Sequence, residues 1–324
     1  FRIEAAPAGS GSGGARPAEG PVPVLPVDAR PPDPGRLARA RGRLAGAVHS
    51  GKLGSYKLYT DVEDAERLRL LDRIAAGLEE VYAARFGLRP KGRPAEAVVL
   101  YARQDEFEAM QREDPRLRGV EASGQYGYGI VALYDGGRAG TEVASTLIHE
   151  LTHLLNRRAV GPQLPSWLDE GIAEDLGLSR VEADGRLAPG TLGGVMVRAG
   201  QRIQIYGAHS SLARLAGAAE AGRLLPLARL LALDEQGFVH DQARLTYTHA
   251  AFWVRYLLAG ENGALAPAFH AYLAAIAAGG PATPEALGER LGRPWEELDR
   301  GFAAWVKAEA AAANLPRVAA ETTG

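Results

Sequence analysis

Cysteine is absent from the 324 residues, which removes thiolates from the list of possible metal ligands and excludes a disulfide framework. That absence is compatible with an oxidising compartment without requiring one. Long apolar runs are also missing. The Ala-rich segment from Phe269 to Ala278 is too short to span a bilayer and contains His270, so no transmembrane segment is expected. Charge of one sign is lacking too: the formal net charge is −2, which gives no electrostatic reason to expect a nucleic-acid partner. The basic run Arg36 to Arg43 is short and reads as a solvated helix end. Of the 37 basic residues 33 are Arg, a bias that points to base composition of the genome and to no mechanism. No internal repeat is found.

What is present is enough apolar residue for a sizeable core, with 46% of the chain in that class. Residues 1–35 are dominated by Ala, Pro, Gly and Ser and read as an exposed linker, with Phe1 in place of an initiator Met. Export to the periplasm, cell surface or medium, with a signal or anchor removed, is the expectation. Residues 36–178 form an α/β region, 179–315 a helical region and 316–324 a tail. Within the α/β region, Ser55 to Thr60 alternates like a strand and Asp64 to Phe86 carries the period of a long helix. Ala95 to Tyr101 is a second strand, Asp105 to Arg112 a short helix, and Gln125 to Tyr134 a third extended stretch. The fold class is therefore α+β: a small mixed sheet carrying the helix described next, followed by helices near 209–220, 246–259, 264–277, 283–291 and 295–313.

That helix contains His149-Glu150-Leu151-Thr152-His153, the pattern H-E-x-x-H. Residues i and i+4 stand one above the other, so His149 and His153 can offer nitrogens to one tetrahedral ion while Glu150 lies alongside. Zinc lowers the pKa of water to about 7, and a neighbouring carboxylate can then take the proton. Val143, Leu147, Leu151 and Leu154, flanked by Ile148 and Leu155, make the core face. This leaves the polar trio off-core, either as a solvated stripe or as the wall of a cleft. A catalytic zinc needs a third protein ligand. The segment Trp167-Leu168-Asp169-Glu170-Gly171-Ile172-Ala173-Glu174 reads as a second helix, with Ser166 as N-cap, Asp169 reaching back to it and Gly177 at its end. Glu170 and Glu174 share one face.

H-E-L-T-H followed by W-L-D-E-G-I-A-E resembles the gluzincin metallopeptidases, and within that clan the peptidase-MA-like bacterial proteins, over residues 53 to 310. The resemblance implies a thermolysin-like core, one Zn²⁺ per chain held by His149, His153 and Glu170, and Glu174 holding His149 through its other ring nitrogen. Sixteen residues separate His153 from Glu170, slightly fewer than in the best-known gluzincins, so a tight connecting loop is expected. Gly171 would let the two helices approach closely. The resemblance also places substrate along an edge strand formed by Tyr126, Gly127, Tyr128 and Gly129, where an extended peptide adds by main-chain hydrogen bonds. A plain hairpin with turn glycines is the other reading of that stretch. Tyr247, where the family places a Tyr, is the candidate oxyanion donor, with His249 two residues on; Tyr247 can equally be a core residue. His49, His209, His240 and His270 are isolated and receive no role.

The function expected is that of a zinc-dependent peptidase acting on a peptide or protein, with Glu150 as general base and later as proton donor to the leaving amine. Two alternatives stand beside it. One is a metal-containing binding or scaffold module without catalysis; the other is a zinc hydrolase of a non-peptide amide.

Overall fold

The computed structural model describes residues 33–92, 97–113, 122–127, 129–138, 140–162, 164–193, 196–199, 202–205, 207–234, 237–238 and 243–315. The expected linker up to residue 32, the tail 316–324, Tyr128 and His240 lie outside the described residues. Among those described, the first element is helix α1 (Pro34–Arg41), capped by the Asp33 side chain. Strands β1 (His49–Leu53) and β2 (Tyr56–Thr60) follow as an antiparallel pair. The long helix α2 (Ala65–Phe86) begins at Asp64, whose carboxylate accepts from the amides of Glu66 and Arg67, and ends at Gly87 in the left-handed region. Next come β3 (Ala97–Tyr101), α3 (Gln104–Gln111), β4 (Gly124–Gly127) and β5 (Ile130–Tyr134).

The five strands form one mixed sheet in the order β1-β2-β3-β5-β4. β2, β3 and β5 run parallel, and β1 and β4 lie antiparallel at the two edges. The central sequences AVVLY and IVALY are buried along their whole length, because helices cover both faces. Val98, Leu100, Val131 and Leu133 pack into the larger core, and Val99, Tyr101, Ile130, Ala132 and Tyr134 into a smaller one with Ala40, Phe107 and Met110. The period-two alternation of a half-buried strand is therefore absent from the centre of the sheet.

Helix α4 (Gly140–Ala159) carries the H-E-x-x-H residues, and α5 (Ser166–Gly177) carries the second acidic segment. Two short hairpins come next: β6 (Ser179–Val181) with β7 (Leu187–Leu192), and β8 (Met196–Ala199) with β9 (Arg202–Ile205). They stand at the start of the region expected to be helical from residue 179 onward. β7 reads LAPGTL, partly exposed and interrupted by Pro and Gly, so it has neither alternation nor an apolar run. The remainder is helical: α6 (Ala208–Glu220), α7 (Leu227–Leu231), α8 (Ala243–Ala259), α9 (Ala266–Ala277), α10 (Pro284–Leu291) and α11 (Trp295–Ala312). The larger core is continuous from Leu53 on β1 to Val306 on α11. Among the described residues no helix is long and apolar enough to cross a membrane.

Two further expectations are corrected here. The extended stretch from Gln125 to Tyr134 is a hairpin turning at Gly129 (φ 76°), and its first strand is also an edge strand, so both readings of that stretch describe part of it. Helix α5 begins at Ser166 itself, after Pro165, without a side-chain cap; Asp169 is occupied elsewhere.

Candidate metal centre

Helix α5 lies between α4 and α8 and is buried nearly all round, by Trp167, Leu168, Ile172 and Leu176 among others. Its acidic residues are therefore carried into the interior: Asp169, Glu170 and Asp175 are at most 3% exposed. Two glycines permit the packing. A Cβ on Gly171 would stand 2.9 Å from the Ala250 carbonyl oxygen, and one on Gly177 would stand 3.3 Å from that of Ser145. The close approach expected of Gly171 is thus made to α8, whereas Gly177 serves the crossing with the metal helix.

The crossing brings three donors together. His149 Nε2 and His153 Nε2 are 3.1 Å apart, and Glu170 Oε2 lies 3.4 Å from the first and 3.5 Å from the second. Donors bound to a tetrahedral zinc at bond lengths of about 2.0–2.2 Å are separated by roughly 3.3–3.6 Å. Two edges of the triangle fall in that range and the third is slightly shorter, so the group could hold a small metal ion. Chemistry agrees with geometry, since Glu170 Oε2 is buried and accepts no hydrogen bond, and a buried carboxylate oxygen without a partner is costly unless a cation faces it. His149, His153 and Glu170 are the one such group of potential ligands among the described residues.

Each imidazole is fixed through its other nitrogen. His149 Nδ1 is 3.1 Å from Glu174 Oε2, as the family resemblance implies. His153 Nδ1 is 2.8 Å from Asp169 Oδ2, a pairing the sequence analysis missed by assigning Asp169 to a helix cap. With both Nδ1 atoms donating to carboxylates, the neutral form of each ring directs its Nε2 lone pair into the triangle. Burial disfavours charge on His149, yet Glu170 and Glu174 outweigh it and hold its pKa well above the usual value. At His153 burial is likewise opposed by Asp169 and Glu170, and the pKa rises to about 9. The interior is electronegative, and it favours positive charge where the three donors meet.

Glu150 is 8% exposed. Burial raises its pKa, the two imidazoles lower it, and Glu170 and Asp169 add to the rise. Its side chain is wedged against the edge of the sheet: a Cβ on Gly124 of β4 would be 2.9 Å from Glu150 Cγ and 2.6 Å from Thr146 Cγ2. Beyond Gly124 the outer edge of β4 pairs with no described strand. Of the four residues expected to line a substrate strand, Tyr126 turns its side chain into the larger core, Gly127 is the last residue of β4 and Gly129 lies in the turn. The edge position belongs to Gly124–Gly127, a few residues earlier than expected.

Tyr247 and His249, two positions apart on α8, face different surroundings. Tyr247 is half-buried against Phe238, and burial together with Glu170, Glu174, Glu150 and Asp169 pushes its phenol pKa well up. It is within electrostatic reach of the whole acidic cluster. His249 is 2% exposed and stacked on Phe302 at 5.0 Å, and burial alone lowers its pKa to about 3. The structure does not bring His249 to the site; it is a neutral core imidazole. His270 bonds to the Arg85 carbonyl and His209 sits on α6, both apart from the triangle.

No protein-family model matches this chain, and no curated protein is significantly similar to it.

Proposed function

We propose that the protein is a zinc-dependent peptidase with a gluzincin-type core. The observation that supports this reading best is the 3.1–3.5 Å triangle of His149, His153 and Glu170 with the enclosed carboxylate of Glu150 packed beside it against Gly124 of the buried edge strand β4. A structural zinc normally takes four protein ligands. Three ligands with an acid beside them, facing a strand edge, suit hydrolysis of an extended chain.

His149, His153 and Glu170 would hold the ion. When bound, a divalent cation supplies Lewis acidity, which acidifies water and stabilises developing negative charge on a carbonyl oxygen. The residues do the rest. A peptide laid along β4 gains main-chain hydrogen bonds that depend little on its sequence. Glu150, its pKa raised by burial, takes the proton of the attacking water and later returns it to the leaving amine. Tyr247 keeps its proton across the physiological range and is the donor available to an oxyanion. Glu174 and Asp169 keep the imidazoles oriented.

Metal content of purified protein, beside a Glu170→Ala variant, tests the centre: one zinc per chain in the wild type and marked loss in the variant are expected. A screen of peptide substrates then follows. Wild type without bound zinc after zinc is supplied would overturn the proposal. Stoichiometric zinc with no hydrolysis of any peptide library would favour the binding-module alternative.

A further inference from the structure

Behind His153 the hydrogen bonding continues past Asp169 into the core. Asn156, one turn along α4 and 1% exposed, donates from Nδ2 to Asp169 Oδ1 at 2.7 Å and to the Asp169 carbonyl at 3.2 Å. Its own Oδ1 accepts from the Tyr82 hydroxyl of α2 at 2.9 Å. Tyr82 is fully buried, with its ring against Phe86. An amide is ambivalent: its oxygen accepts and its nitrogen donates, and a half-turn about χ2 exchanges them. The Asp169 carboxylate and carbonyl remove that ambivalence, because both only accept and so draw the amide nitrogen toward them. The Tyr82 hydroxyl then donates to the amide oxygen left on the other side and tethers it.

We propose that Asn156 and Tyr82 are positioning residues for the metal ligand His153. Tyr82 tethers the oxygen of the Asn156 amide, the amide nitrogen fixes the Asp169 carboxylate, and Asp169 Oδ2 fixes the tautomer and ring plane of His153. This inference rests on the metal-centre reading. The chain spans α2, α4 and α5, and it ties a ligand to a helix that supplies no ligand of its own. Outer partners of metal-bound histidines commonly change metal affinity roughly ten- to a hundred-fold when removed, and a partner locked from behind contributes that preorganisation at lower conformational cost.

The test is the Zn²⁺ dissociation constant, by competition with a chromophoric chelator, for wild type, Asn156→Leu, Tyr82→Phe and the double variant, each checked for a folded circular-dichroism spectrum. Asn156→Leu is expected to weaken binding about ten-fold or more, and Tyr82→Phe several-fold. The double variant should be no weaker than Asn156→Leu alone, because the two act through one path. A purely structural role predicts a lower melting temperature with the affinity of the folded protein unmoved. Folded variants within two-fold of wild type, or single effects that simply add, would overturn the inference. Should Asn156→Leu not fold, Tyr82→Phe and the isosteric Asn156→Asp carry the test, the latter by placing an acceptor against a carboxylate. A second readout is the His153 Nδ1–H proton resonance of the zinc-loaded protein, expected to shift in Tyr82→Phe. Wild type that binds no Zn²⁺ would instead remove the centre itself, and that result is read before any variant is made.

Discussion

In the proposed peptidase two demands would meet at Glu150, which would have to be desolvated enough to act as a base and close enough to two imidazoles to remain an anion for part of the cycle. Burial raises its pKa and the histidines restrain the rise. Glu150→Gln keeps size and shape but removes the basic oxygen, so zinc content should be unchanged while turnover falls by about 100-fold or more; elemental analysis and peptide hydrolysis, measured on one preparation, check both halves. Gly124 is the second residue on which this arrangement turns. Gly124→Ala would place a methyl 2.6 Å from Thr146 Cγ2 and 2.9 Å from Glu150 Cγ, contacts that force either the strand or the base to move. Zinc binding should persist, with kcat reduced more than KM is raised; an unchanged kcat would show that the strand yields instead of Glu150. At this scale His149, Glu150 and His153 were legible because a five-residue spacing on a helix is a local property. Tyr247 and His249 could not be separated that way, since both lie on an apolar helix and only the neighbours of each decide its role.

Helix α5 shows how an element can be polar in sequence and interior in fact. Two of its three buried carboxylates meet partners: Asp169 meets His153 and Asn156, and Asp175 meets Arg85 at 2.6 Å and Arg255 at 2.8 Å; Glu170 keeps one oxygen without a hydrogen bond. The Asp175 bridge joins α2, α5 and α8. Burial would raise the Asp175 pKa, but Arg255 and Arg85 outweigh it and hold the carboxyl below its usual value. A carboxyl whose folded-state pKa is depressed stabilises the fold fully above its unfolded value, near 3.9, and loses that contribution as pH falls through the lower folded value. Asp175→Asn should therefore cost about 3 kcal/mol at neutral pH, the buried Arg255 and the partly buried Arg85 being left without their anion. The gap from wild type should narrow in acid; denaturant melts at pH 7 and pH 3 measure it. Gly171→Ala probes the other side of the same helix. A methyl 2.9 Å from a backbone carbonyl of α8 has no flexible neighbour to displace, and a loss of about 1–3 kcal/mol is expected. Neither effect could be read from the sequence, where Gly171 suggested an approach to α4 and Asp175 resembled any helical acid.

The molecule as a whole places its ligands on two helices joined by the connection Val160–Pro165 and buries both in the core that also holds α2 and α8. An ion that binds the folded triangle and not the unfolded chain must stabilise the whole protein. Zinc at 1,000 times its dissociation constant should add about 4 kcal/mol. Its removal by chelator should lower the melting temperature of wild type while leaving that of Glu170→Ala nearly unmoved, a difference scanning calorimetry would register. The overall α+β organisation, the long α2 and the five long C-terminal helices were legible beforehand, because each carries a helical period over several turns. Strand β1, short and mostly exposed, was not, nor was the hairpin of β6 and β7, whose second strand is interrupted by Pro189 and Gly190.

What the amino-acid sequence determined by itself is therefore what short-range geometry can encode: two histidines and a base on one turn of α4, a glutamate helix soon after, and the amphipathic or apolar runs that make the framework. Tertiary structure alone decided which carboxylate serves which imidazole, that Tyr82 and Asn156 stand behind His153, that β4 is the strand beside Glu150, and that Tyr247 packs against Phe238 while His249 stacks on Phe302. The physical reason is the same in each case. These pairings join residues on different elements, so they depend on how helices and strands pack, which is set by the collective burial of side chains far apart in the chain and leaves no periodic trace near any one of them.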